Sequence, residues 1–155
     1  MSELYFEYEK DMEFGSIMEN RIKYLEMIES VIQRMANNCF QLKGWAITLV
    51  TLVGALAAQG TDKRFILLAF IPIIAFWGLD SYYLQLERKY RIFYSIILKR
   101  KTSEIDFNMD LKAMYPLNDA QKQRVGLIAC ILSKSEILFY LPIMVAVIAI
   151  TIVIF

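Results

Sequence analysis

At 155 residues the chain holds about one domain of material, and 57% hydrophobic content beside 21% charge exceeds what an ordinary soluble domain carries. A formal net charge of +1 leaves no basic footprint for nucleic acid, so no direct nucleic-acid partner is expected. Histidine is absent, which removes the commonest general base and metal ligand: no catalytic residue, cofactor or metal site is expected, and the chain does not read as an enzyme.

The first residues carry Glu3, Glu7, Glu9, Asp11 and Glu13 where a secretory leader would be basic, and they lack an apolar run. No export signal is expected there. Next, Met18, Leu25, Ile28, Ile32, Met35, Cys39 and Leu42 form an apolar stripe whose steps from Leu25 onward are 3, 4, 3, 4, 3. Such a seam suits lengthwise packing against another helix, on the same subunit or on a second one. Ser16 with Glu19 fits a capping box at its start, and Gly44 is the expected joint before the first apolar stretch. Residues 1–43 are thus predicted to be a cytoplasmic arm and helix.

Three uncharged apolar stretches follow: Gly44 to Thr61, Phe65 to Leu79, and Ile137 to Phe155. The last holds 19 residues, about 28 Å as a helix and close to the hydrocarbon thickness of a bilayer. The second, with 15 residues, reaches only about 22 Å and must borrow length from Asp80, Ser81, Tyr82 and Tyr83. Trp77 and the paired tyrosines suit the aromatic belt of a membrane surface, and Pro72 is a candidate kink. Gly54 with Ala58 and Ala75 with Gly78 are small-residue pairs that permit close helix approach. Five basic residues precede the first stretch, Lys63 and Arg64 separate the first two, and ten lie between Arg88 and Lys134. The positive-inside rule makes residues 44–84 a transmembrane hairpin whose turn at 60–64 is outside, with the N-terminus cytoplasmic.

Span two is predicted to continue to Lys101 as a cationic helix bearing Arg88, Lys89, Arg91, Lys99, Arg100 and Lys101, which can pair with the acidic arm. Residues 102–118 read as a connector; Glu104, Asp106 and Asp110 lack the glycine and closing glutamate of a calcium loop. Asn118 or Asp119 offers an N-cap for a helix carrying Val125, Leu127, Ile128, Ile131 and Leu132 toward the third span, in which Pro142 is tolerable. Residues 85–136 are therefore a cytoplasmic helical segment and 137–155 a C-terminal transmembrane helix. The expected architecture is an all-α membrane protein: a hairpin of two transmembrane spans, long cytoplasmic helical extensions and a third apolar span. Cys39 and Cys130, far apart and without CxxC spacing, read as reduced, packed thiols.

Arg34 through Trp45, the Trp77-Gly78-Leu79-Asp80-Ser81-Tyr82-Tyr83-Leu84 run followed by Glu87, Arg88 and Arg91, and Asp106 through Asp110 together resemble the RipA family of octameric bacterial membrane proteins. That family includes the membrane accessory proteins of type VI-B CRISPR systems. The resemblance covers roughly residues 20 to 110. It implies a multi-pass inner-membrane protein that forms a homo-oligomeric ring, an octamer, in the lipid bilayer and alters permeability in antiphage defence, with a cytoplasmic defence protein as a further partner. Asp80, Tyr83, Glu87, Arg88, Arg91, Trp77, Lys43 and Trp45 are the candidate interface or pore residues; intrasubunit salt bridges are the plainer role for Asp80, Arg88 and Arg91. Ribonuclease chemistry of the HEPN type needs a histidine that this chain lacks. Two alternatives stand beside the ring: a non-conducting membrane scaffold that docks a cytoplasmic partner, and a two-span effector of nucleotide-signalled defence.

Overall fold

The computed structural model describes the backbone of residues 2–59, 63–101, 107–114 and 117–154, and within these the side chains from residue 12 onward except at 13, 63, 113 and 114. Every regular element among these residues is helical. Helix α1 (Ser2–Ala58) leads through a 3-10 segment (Lys63–Ala69) into α2 (Phe70–Lys99). A 3-10 turn (Leu111–Met114) precedes two short helices, α3 (Asp119–Arg124) and α4 (Leu127–Ile131), and then α5 (Lys134–Ile154). Three helices are long and apolar enough to cross a membrane, within Phe14–Ala58, Arg64–Lys99 and Lys134–Ile154.

No proline interrupts α1, whose 57 residues span about 85 Å. The helix begins well before Ser16, so Ser16 is an interior position and not a cap. Gly44 does not mark a joint either: the helix runs through it, and a Cβ there would meet nothing. The α1 stripe packs on α2 of the same subunit. Arg21 reaches the Leu98 carbonyl, Cys39 the Asp80 carbonyl, and Ala46 shares a core with Ile73 and Ala69, so the two helices run antiparallel.

Pro72 occupies the third position of α2, where backbone N–H groups have no acceptor within the α-helix. It belongs to the helix start and is not an interior kink; the preceding 7 residues, about two turns, are wound as 3-10. The open space around Gly54 and Gly78 shows that neither small-residue pair brings helices together within the protomer. Thr48 and Thr151 donate to the carbonyls one turn back, Gly44 and Val147, which satisfies both hydroxyls inside their own helices.

Apolar side chains collect at two levels of the antiparallel pair. Near the free end of the hairpin, Tyr24, Ile28, Phe93, Ile97, Leu117 and Val125 form one core. Nearer the 3-10 segment, Ala46, Ala69, Ile73, Tyr140 and Val147 form another, with α5 laid against both partners. Tyr24 donates from its hydroxyl to the Asn108 carbonyl at 2.5 Å and holds the Phe107 ring at 5.2 Å, closing the connector over the first core. Phe107 adopts φ 54°, which lets the chain turn there.

The helix predicted after Asn118 is divided. Asn118 accepts from the Gln121 N–H while Gln121 returns a bond to the Asn118 N–H, a complete capping box. The chain then breaks at Val125 and Gly126, where Gln85 of α2 donates to the Val125 carbonyl at 2.7 Å. The expected pairing of the cationic helix with the acidic arm falls largely on Glu3, Glu7, Glu9, Asp11 and Glu13, whose side chains lie outside the described residues. Glu19 pairs with Lys23 one turn on, and Arg91 pairs with Glu87 of its own helix.

Phe93 is fully buried against Tyr24 and Ile28, so Phe93→Ala should cost about 3–5 kcal/mol. A clear drop in the thermal midpoint of the detergent-solubilised protein is expected; an unchanged midpoint would show that the two helices do not pack this way.

Candidate functional site

Between the two apolar cores lies a polar junction where α1, α2 and α5 meet. The Lys43 ammonium donates to Oδ2 of Asp80 and, at 3.0 Å, to Oε1 of Glu136. The Tyr140 hydroxyl donates to the same Asp80 Oδ2 at 3.1 Å. Asp80 and Glu136 are sealed from solvent, while the Lys43 side chain is 19% exposed. One cation from the first helix therefore bridges one carboxylate from each of the others.

The sequence places the three charges by a common logic. Lys43 directly precedes the first apolar stretch, Asp80 directly follows the second, and Glu136 directly precedes the third. Each is the last charge before a hydrocarbon-length run, so antiparallel packing brings all three to one level. The Lys43 stem passes the rings of Phe139 and Tyr140, with the ammonium 5.7 and 5.9 Å from their centroids. Trp77 stacks on Tyr140 at 5.8 Å with the rings 9° from parallel. Its indole N–H donates to the Ile131 carbonyl at 3.2 Å, tying α4 to the end of the second apolar stretch.

Charge and hydrogen bonding do not balance here. Two carboxylates face one ammonium, and among the described residues Oδ1 of Asp80, Oε2 of Glu136 and the Ser81 hydroxyl have no partner. Burial of ions is costly, and a buried pair holds only because each member satisfies the other. Lys43 is therefore the member whose loss hurts most, since two sealed anions would remain. The group contains no histidine and no nucleophile with an adjacent base, and no set of metal-ligating side chains occurs among the described residues. Its chemistry is electrostatic: it fixes the register of three helices at a level that apolar contacts alone leave free to slide.

The eight predicted residues divide between two places. Lys43, Asp80 and Trp77 come together at the junction, joined by Glu136 and Tyr140. Farther along α2, Glu87 holds Arg91, while Arg88 donates to the carbonyls of Arg124 at 3.0 Å and Ala129 at 3.4 Å. Trp45 is exposed, and Tyr83 is half-buried in edge contact with Tyr82. Glu136 and Tyr140 escape a motif reading because they lie some fifty residues beyond the cluster around Asp80. Their signal is positional, an acid abutting an uncharged stretch with a tyrosine one turn inside it. Both cysteines are buried and unbonded to each other, and burial pushes the Cys130 thiol up from its ordinary range.

Lys43→Met should destabilise the protein by about 3–5 kcal/mol. Adding Asp80→Asn and Glu136→Gln to that variant should recover most of the loss, because the stranded charges disappear. Thermal unfolding of the unaltered chain, Lys43→Met and the triple variant reads both effects; a triple variant no more stable than Lys43→Met would contradict the junction as drawn.

Neither a scan against protein-family models, nor a search of curated proteins, nor a search of solved structures gave a match.

Proposed function

We propose that this chain is a multi-pass inner-membrane protein, N-terminus cytoplasmic, that assembles with copies of itself into a ring and alters membrane permeability in antiphage defence. The apolar stretches form a two-span hairpin with a third span beside it, and the arm and residues 85–136 extend into the cytoplasm. Three spans of this character enclose no aqueous path by themselves, so passage of solutes needs several copies around an opening. The octameric count and the defence role come from the RipA-like residues of 34–45, 76–91 and 106–110.

One observation carries the self-assembly. Phe14, Ile17, Met18 and Ile22 stand exposed on one face of α1, Phe14 at 64%. Ile22 lies about 33 Å along the helix from Gly44, too far for lipid around the first span to cover it. Apolar side chains at helical spacing in water call for a partner, and a second copy supplies an identical face at the same height. Arg91, exposed at the rim of the cytoplasmic helix, remains a candidate for contact between copies; Asp80 and Lys43 act within the protomer.

A second reading is favoured by a groove of about 800 Å³ between α1 and α2, lined by Lys23, Glu26, Met27, Arg34, Tyr90 and Met109. A mixed charged and apolar groove suits a helix of a cytoplasmic partner, as a non-conducting scaffold would need.

Particle images and dye release from liposomes separate the two. Rings of several copies and release of dye are expected, with Phe14→Glu/Ile22→Glu abolishing both while leaving the helical content intact. A protein that stays monomeric in every detergent and never releases dye would overturn the ring.

A further inference from the structure

Beyond the junction, Arg88, Arg91 and Arg124 surround a cleft of about 420 Å³ floored by Ile92. Three of its four lining residues are arginines. Glu87 is the carboxylate that meets them, through Arg91 Nε at 2.8 Å and NH2 at 2.7 Å. Arg88 spends one terminal nitrogen on the carbonyls of Arg124 and Ala129. Those bonds anchor the cleft to the turn between α3 and α4 and leave the positive charge unneutralised.

The short helix beside the cleft shows what surrounds it. Ile128 is 73% exposed and Leu132 61%, while Leu127 is also exposed. The Trp77 bond to the Ile131 carbonyl holds this apolar edge at the end of the second apolar stretch. Directly after it, α5 begins the third. An exposed apolar edge at that height belongs in the outer acyl region of a bilayer, with adjacent arginines reaching the headgroup layer by extending their stems along apolar surface. Arg88 lies about 13 Å along α2 from Leu79, within reach of that layer once its side chain is extended.

We propose that this cleft binds the phosphate headgroup of an anionic phospholipid, with Ile128 and Leu132 seated against its acyl chains. The proposal rests on the chain being membrane-embedded and is independent of pore formation. Planar guanidinium groups match phosphate oxygens in pairs, which a zwitterionic headgroup with its own ammonium engages less well. A free phosphate would use the same arginines without needing the apolar edge, and that edge is the reason for choosing lipid.

Native mass spectrometry of the full chain, released from neutral detergent with equal phosphatidylglycerol and phosphatidylcholine of matched acyl chains, tests the site. Preference for phosphatidylglycerol by about tenfold or more is expected, because paired guanidinium contacts favour a phosphate headgroup that carries no ammonium of its own. Arg91→Gln/Arg124→Gln should bind both lipids alike, whereas Lys99→Gln/Lys112→Gln, which removes the same charge outside the cleft, should keep the preference. Equal binding by the unaltered chain, or equal loss in both double variants, overturns the site. Complete displacement of phosphatidylglycerol by millimolar inorganic phosphate would also overturn it, in favour of a soluble anion. A chain that partitions into water without detergent overturns the membrane reading itself, an outcome separate from insertion without lipid preference.

Discussion

A single lysine shared by two carboxylates sets the geometry of this molecule. Lys43 is the contact through which α1 holds a charge on α2 and a charge on α5 at once, at the level where all three apolar stretches stop. Apolar helix faces tolerate sliding, because one leucine contact is much like the next. A sealed charge does not, since a shift of one turn strands it without a partner. The junction therefore decides which residues of the two cores meet, and it does so where α4 and its tryptophan tie also converge.

That arrangement divides the protein into parts with different duties. On one side of the junction the helices present little but apolar surface outward, and the Thr48 and Thr151 hydroxyls there bond to their own backbones. On the other side the antiparallel pair continues as a charged helical stalk, capped by the connector that Tyr24 and Phe107 close. The arginine cleft and the exposed edge of α4 lie just past the junction, at the transition between these two regimes. An apolar face far out on α1 is the feature that a single protomer leaves uncovered, and the proposed self-assembly would cover it. The proposed permeability and defence role rest on the RipA-like residues.

Much of the fold was readable from residues because its signals are local and strong. Runs free of charge announced the three apolar helices, the heptad-like steps from Leu25 announced the seam of α1, and Asn118 or Asp119 announced a cap. Errors arose where local signals lack a decisive energy. Ser16 looked like a helix start, yet the helix begins well before it; Gly44 looked like a joint, yet α1 runs through it because its packed face on α2 continues from Cys39 to Ala46. Glu19 and Arg91 find opposite charges one turn away on their own helices, where pairing requires no long-range order. Of the site, Lys43, Asp80 and Trp77 were found as members of a motif. Glu136 and Tyr140 required knowing that α5 folds back beside α2, which no spacing within one segment reveals.

The central claim is that Lys43, Asp80 and Glu136 share one depth at the edge of a bilayer. Nitroxide labels at the exposed neighbours Gln41, Leu79 and Leu138, placed one at a time in the full chain in lipid nanodiscs, report depth from their accessibility to oxygen and to a water-soluble relaxant. Depths that agree within about one helical turn, roughly 5 Å, at the headgroup boundary are predicted. A label at the bilayer centre, or one fully in water while the others are buried, would contradict the account.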